Sequence, residues 1–330
     1  MSAKAKRGAV RGARWLFSCL CVLAAAGCAE QSKKHRFTST AMGVVVEITI
    51  DHDDVERARV AARAAQEELD RLDQMLSDWK QTSELSRLNA SQDLRTETGV
   101  ELRTVLSRAL EVARATDGRF DPTVGPFVAL WRQTRRAGGF PPADANERAL
   151  REARERVGFE KVAIDGAAIV RTRADITIDF GGIGKGFGAV RALQVLRGRG
   201  CPRALVAVAG DLAAGDAPRG ARGWRVEIDA ERGTDEWIDC TNEAISTSGA
   251  SAQWVEIDGV RYAHIVDPRT GLGATELAQV TVIGPLDCAV DALSTALSLT
   301  ERDEDARSIL AKFAGYRARI ERDGKVCWLR

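Results

Sequence analysis

One short run, Tyr262-Ala263-His264-Ile265-Val266-Asp267-Pro268-Arg269-Thr270-Gly271, packs an imidazole, a carboxylate, a guanidinium and a hydroxyl together. An imidazole titrates near neutrality, so His264 is a candidate general base on a hydroxyl, with Asp267 close by in sequence. An aspartate before proline is biased away from helix. Pro268 and Gly271 punctuate the run, so it should leave a strand and enter a fixed turn. Polar groups on a rigid turn at a strand end are a common way to build a site. The plain alternative is an Asp-Pro turn with a surface arginine, and the run alone does not choose.

A second run, Asp179-Phe180-Gly181-Gly182-Ile183-Gly184-Lys185-Gly186, suits a phosphate-bearing ligand. A strand, a glycine turn and a helix start present backbone N–H groups and a positive dipole end, and Lys185 adds a cation. It is not a P-loop, because Asp179 stands where glycine is needed and Gly186 follows the lysine. Gly184, Gly186 and Ala189 fit only a loose dinucleotide fingerprint, outside a βαβ series. The alternative is a tight turn that needs glycine for its backbone. Asp291 and Thr295 lie four apart and face one way on a helix. Carboxylate, hydroxyl and a backbone carbonyl are hard oxygen ligands suited to Mg²⁺, although such a pair is more often a solvated face. The neighbours Cys288, Ala292, Leu293 and Ala296 are small or apolar, which implies a buried helix in which Asp291 needs a partner.

The elements that must hold these groups follow from hydrophobic spacing. Apolar residues every three or four positions predict helices over Val55 to Met75 and Glu101 to Thr116. A loop is expected at Ser83 to Asn89, and a rigid Gly/Pro-framed loop at Gly118 to Pro126. Arg135 to Asp144 should be loose and exposed, followed by a short helix capped by Asn146. Strands are expected at Val44 to Ile50, Ile176 to Phe180, Ala204 to Val208, Trp224 to Ile228, Ala244 to Thr247, Trp254 to Ile257 and Val280 to Ile283. Asp165-Gly166 and Asp323-Gly324 mark hairpins. Further helices are expected from the glycine run to about Arg197, over Leu286 to Leu299, and over Asp303 to Phe313. Hairpins mixed with helices give an α+β fold of mixed or antiparallel sheets with packed helices, one large domain of two intimate halves.

The N-terminus belongs to a different regime. Lys4, Lys6, Arg7, Arg11 and Arg14 precede the short apolar run Trp15 to Ala26, a secretory signal pattern over residues 1–27. Ala25-Ala26-Gly27-Cys28 resembles a bacterial lipobox, with Cys28 as the lipidated residue. Residues 28–36 then form a tether, and the folded domain spans 37–330. A lipid anchor implies a place in the bacterial cell envelope, at a membrane facing the periplasm or the exterior. Over 330 residues the chain carries 48 basic and 47 acidic side chains. That balance argues against nucleic acid as a partner. Cys201, Cys240, Cys288 and Cys327 are widely spaced without a CxxC, so they read as buried small residues rather than a zinc site.

Taken together, these stretches resemble the ApbE family of FAD:protein FMN transferases. The blocks that carry the resemblance stand in the family's order. They are Ala41-Met42-Gly43, Ser77-Asp78-Trp79, Ser83 to Asn89, Gly118 to Pro126, Asp179 to Gly186, Ala209-Gly210-Asp211, Ser246 to Gly249, His264 to Gly271, and Asp291 to Ala296. Two departures are Ala209 in place of a first glycine, and Ala250-Ser251 in place of an acidic-aromatic pair. The resemblance implies a T-fold-related architecture and FAD as substrate, lying across Met42, Trp79, Arg119, Phe120, Asp121, Lys185 and Ile265. It implies Mg²⁺ held by the Gly182 carbonyl, Asp291 and Thr295, and His264 with Asp267 at the reacting phosphate. The implied reaction moves FMN from FAD to a Thr or Ser hydroxyl of an exported or membrane redox protein and releases AMP. The alternatives are an FAD pyrophosphatase on the same scaffold and a non-catalytic flavin-binding lipoprotein.

Overall fold

The computed structural model describes residues 32–228, 236–249 and 254–330. Cys28, the first tether residues and Ala250-Ser251 lie outside the described residues. The chain begins with strands β1 (Lys34–Ala41) and β2 (Val44–Asp51), then helices α1 (Val55–Leu76) and α2 (Glu84–Ala90). There follow β3 (Arg95–Glu97), α3 (Val100–Ala115), α4 (Gly125–Ala137), α5 (Ala143–Arg154), β4 (Val162–Asp165) and β5 (Ala168–Arg171). The centre of the chain carries α6 (Gly184–Gly198), β6 (Ala204–Val208), β7 (Asp211–Ala214), β8 (Trp224–Ile228), β9 (Glu236–Cys240) and β10 (Glu243–Ser248). It closes with β11 (Trp254–Ile257), β12 (Val260–Ala263), β13 (Gln279–Pro285), α7 (Ala289–Ser298), α8 (Asp303–Leu310), β14 (Arg317–Arg322) and β15 (Lys325–Leu329).

Eight strands form one sheet in the order β1-β2-β6-β7-β10-β13-β14-β15, every neighbour antiparallel. The expected α+β class is therefore found. Helix α1 packs on α6, α6 on β6 and β7, and α7 on β10 and β13. Asp54 caps α1 by accepting from the N–H groups of Glu56 and Arg57. The helix then buries Ala58, Ala62, Ala65, Leu69, Leu72 and Met75 on one stripe. Each large side chain there contributes about 1.5–3 kcal/mol. A second apolar cluster, with Trp224, Val226, Cys240, Ile245 and Ile283, seats the β8–β9 hairpin on the sheet. A third, with Phe127, Trp131, Ala153, Ile257 and Val266, joins α4 and α5 to the β11–β12 hairpin. The last two clusters matter here because they border the cleft described below. Among the described residues no helix is long and apolar enough to cross a membrane.

Several expectations need correction. Lys34 to Arg36 are not tether but the start of β1, paired Lys34↔Asp51 through Ala41↔Val44. β1 is an edge strand, and charged, polar residues are what an edge carries to resist pairing with another chain, so its polarity hid it. Ser83–Asn89 is mostly helix: Ser83 caps α2 by accepting from Ser86 N at 2.9 Å. The expected loop ending at Pro126 turns into α4 at Gly125, and Arg135 belongs to its last turn rather than to a loose segment. Asn146 does not cap α5. Pro142 stands there, and Asn146 donates its N–H to the Pro142 carbonyl. Ile176–Phe180 is not a strand of any sheet. Short strands β3, β7 and β9 carry too little pattern to be foreseen. Cys201, Cys240 and Cys288 are buried free thiols, and Cys327 is half-buried.

Candidate active site

The glycine block sits where α6 begins, pressed against α7. A Cβ on Gly186 would lie 2.9 Å from the Asp291 Cβ, and one on Gly182 would lie 3.4 Å from Thr295 Oγ1 and 3.2 Å from the Phe120 ring. Glycine is needed at 186 because the chain approaches α7 too closely for a side chain, and at 182 the Phe120 ring is the tight neighbour. The Gly186 N–H donates to Asp291 Oδ2 at 3.1 Å. Lys185 Nζ lies 2.6 Å from Asp211 Oδ2 and 3.7 Å from Asp291 Oδ2. Burial pulls the Lys185 ammonium down, but the two carboxylates outweigh it and hold the amine protonated. Burial pushes the Asp291 carboxyl up and Asp211 adds to this, while Lys185 and the Gly186 N–H pull it back. Asp211 Oδ1 is buried and has no hydrogen bond.

The His264 run leaves β12 as expected and enters a tight loop. Ala263 N donates to Ala274 O at 2.8 Å, Ala274 N to Ile265 O at 2.9 Å, and Gly271 N to Asp267 O at 2.8 Å. Trp131 of α4 donates its indole N–H to the Ala263 carbonyl at 3.1 Å. Gly271 has φ +80°, and a Cβ there would lie 2.6 Å from the Phe127 ring, so the loop closes directly on α4. His264 is exposed and lines the cleft. Asp267 is placed differently from the expectation. Its buried carboxylate accepts from Arg269 N at 2.9 Å and from the Arg269 guanidinium at 2.9 and 3.1 Å, and it does not line the cleft. That carboxylate shapes the turn that carries His264.

A single cleft of about 1140 Å³ brings together Trp79, Arg119, Phe120, Asp121, Gly182, Lys185, His264, Ile265, Asp291 and Thr295. Met42 lines an adjoining hollow of about 510 Å³, shared with Trp79 and Lys185. Met42 and Gly43, at φ +53° and +75°, form the tight turn between β1 and β2. Asp121 has little left to offer a ligand. Its carboxylate accepts from Thr123 N at 2.7 Å, Thr123 Oγ1 at 2.6 Å and Phe159 N at 3.0 Å, which fixes its loop. Burial raises its carboxyl, and the Thr123 and Phe159 hydrogen bonds oppose this.

Two features escaped the sequence reading. Asp211 appears there only as part of a motif, yet it is the nearest partner of Lys185. Arg132, Arg135 and Arg136 of α4 also line the cleft. Nothing in their local pattern distinguishes them from other basic residues.

A Mg²⁺ ion fits this arrangement. The Gly182 carbonyl, Asp291 and Thr295 are hard oxygens on one wall, and the orphaned Asp211 Oδ1 adds negative potential. Among the described residues no three or more His, Cys, Asp or Glu side chains could hold a metal. An ion here would therefore complete its shell with water and substrate phosphate oxygens, which is how Mg²⁺ is usually held.

The model of the ApbE family matches residues 42–320. The FAD:protein FMN transferase of Vibrio cholerae is 30% identical over 297 residues, covering 86% of each chain. That of Klebsiella pneumoniae is 30% identical over 274 residues, covering 78% of this chain and 75% of its own. The ApbE protein from Thermotoga maritima superposes with a TM-score of 0.77 at 28% identity, over 90% of this chain and 97% of that one. The flavin transferase ApbE from Vibrio cholerae, at 24% identity and a TM-score of 0.76, has the same fold over 90% of this chain and 97% of its own.

Proposed function

The chain belongs to the ApbE family, and we propose that it transfers the FMN moiety of FAD to a Thr or Ser hydroxyl of an exported or membrane redox protein. The observation that carries this is convergence. An exposed imidazole, a half-buried lysine between two carboxylates, and a wall of hard oxygens all line one cleft large enough for a dinucleotide. The acceptor's hydroxyl oxygen attacks the phosphorus on the FMN side of the pyrophosphate. A new O–P bond forms as the P–O bond to AMP breaks, and AMP leaves with that electron pair. His264 takes the hydroxyl proton. Lys185 sets a fixed positive charge beside the pyrophosphate, in a site where Asp211 keeps it protonated. The Gly182 carbonyl, Asp291 and Thr295 would hold Mg²⁺, which would supply further positive charge against the pyrophosphate. Arg119, Phe120, Ile265, Met42 and Trp79 position FAD, and Trp79 offers a ring on which a flavin or adenine plane stacks. We place the chain in the bacterial cell envelope, with Cys28 as its lipid anchor to a membrane, because the leader ends in small residues followed by that cysteine.

The test incubates the detergent-solubilised full chain with FAD, Mg²⁺ and a flavin-acceptor domain carrying a candidate threonine. The acceptor is weighed intact, and free FMN is assayed alongside. An acceptor heavier by one FMN, only when Mg²⁺ is present, is the expected result. Free FMN with an unmodified acceptor would assign an FAD pyrophosphatase instead, and bound but intact FAD would leave a flavin-binding protein.

A further inference from the structure

Trp79 is unusual among the large apolar side chains: 63% of it is exposed, on a turn between α1 and α2. An exposed indole on a short turn samples many rotamers unless something holds it, and a stacking wall must be held. The turn backbone is fixed, since Ser77 Oγ accepts from Trp79 N at 3.1 Å and Lys80 N at 3.2 Å. The ring is fixed from another element. The Arg132 guanidinium carbon lies 3.9 Å from the Trp79 ring centroid, flat-stacking distance for a cation on an indole. Arg132 is itself pinned: Nη1 lies 2.6 Å from Asp78 Oδ2 and Nη2 lies 3.9 Å from Asp179 Oδ2. One side chain of α4 thus ties the turn after α1 to the head of the glycine block. Trp79 borders both the main cleft and the smaller hollow that holds Met42, whereas Arg132 lines only the main cleft. The guanidinium therefore backs one face of the ring and leaves the other to a planar ligand.

We infer that Arg132 is a positioning residue that locks the Trp79 indole upright as the stacking wall for a ring of FAD. This rests on the reading of the cleft as the FAD site. The function needs a planar cation, because a lysine ammonium can keep the charge near Asp78 but cannot stack flat on the ring.

The experiment measures FAD affinity by quenching of flavin fluorescence in the full-length chain with Mg²⁺ present. It compares the wild type with W79A, R132Q, R132K and the W79A/R132Q double variant. Loss of one base–aromatic stack should weaken FAD binding by about tenfold in W79A. R132Q and R132K should each weaken it by roughly fivefold, since neither restores a flat cation. The double variant should bind no more weakly than W79A. Equal losses from R132Q with and without Trp79, or full affinity in R132K, would overturn the positioning role. Failure of the wild-type chain to bind FAD would overturn the functional reading of the cleft itself.

Discussion

Asn89 is joined to Ile178 as two strand residues would be. Its side-chain N–H donates to the Ile178 carbonyl at 2.8 Å, and the Ile178 N–H donates to its side-chain oxygen at 2.8 Å. The next residue, Asp179, donates its N–H to the Pro122 carbonyl at 2.8 Å. Arg171 Nη1 also donates to the Ile176 carbonyl at 3.0 Å, so the extended segment that delivers the glycine block is held by two side chains and one loop carbonyl and pairs with no strand among the described residues. Asn89→Ala leaves a backbone donor and a backbone acceptor without partners, at a cost of about 2–3 kcal/mol. Asn89→Asp should cost a similar amount, because a carboxylate cannot donate to the Ile178 carbonyl. Urea unfolding of both variants checks this. Wild-type stability in Asn89→Asp would mean that the donated bond holds nothing.

That pairing also explains what the sequence could and could not reveal. The Ile176–Phe180 pattern reads as a strand because its backbone is extended and its side chains alternate. Only the fold shows that its partner is a side chain from position 89. Helices α1 and α3 were legible because their apolar stripes run four turns or more and need no partner to be seen. The Asp323-Gly324 hairpin was legible from its turn residues alone, and both adopt positive φ, 51° and 74°. Helix α2 has only seven residues, too few to establish a period. At the site, the chemistry-bearing types His264, Lys185 and Asp291 stand out in sequence, and the cleft brings them together. Arg132 does not stand out, since its role depends on a ring that lies 53 positions away in the chain and 3.9 Å away in space.

The edge of the sheet carries a pH-dependent tie. Asp51 accepts from Arg219 N at 2.7 Å, from the Arg219 guanidinium at 2.8 Å and from Lys33 N at 2.9 Å. Burial pushes its carboxyl up, but these partners outweigh that and bring it down from 3.8 to about 2. A carboxylate whose folded pKa is depressed adds stability above its unfolded pKa and loses it as pH falls through the folded value. The contribution is roughly 2 kcal/mol at neutral pH, lost between about pH 4 and pH 2. The stability gap between wild type and Asp51→Asn should therefore narrow by about that amount from pH 7 to pH 2. A gap that stays constant over this range would show that the tie does not titrate.

Asp291→Ala tests the metal assignment separately from the fold. Lys185 keeps its 2.6 Å partner Asp211 in this variant, so the cation is not left alone in the interior. The expected outcome is a loss of FMN transfer of about a hundredfold or more, together with a rate that no longer rises as Mg²⁺ is added. FAD affinity measured with and without Mg²⁺ gives an independent readout, and the difference should vanish. An unchanged Mg²⁺ dependence would move the ion away from Asp291.

His264 should separate binding from chemistry. Its imidazole is exposed in the cleft, while its loop is secured elsewhere by the Trp131 indole N–H on Ala263, the Asp267–Arg269 turn and the close approach of Gly271 to Phe127. These contacts hold the loop without using the imidazole ring. General base catalysis typically contributes 10²–10⁴-fold, so His264→Ala should lower FMN transfer by about that factor while FAD binds as before. Asp267→Asn should behave differently. It weakens a turn whose carboxylate meets Arg269 through four hydrogen bonds at 2.9–3.2 Å, so it should lower thermal stability together with activity. Transfer at the wild-type rate by His264→Ala would remove the imidazole from the reaction. A stable but inactive Asp267→Asn would return that carboxylate to the chemistry, against its place in the turn.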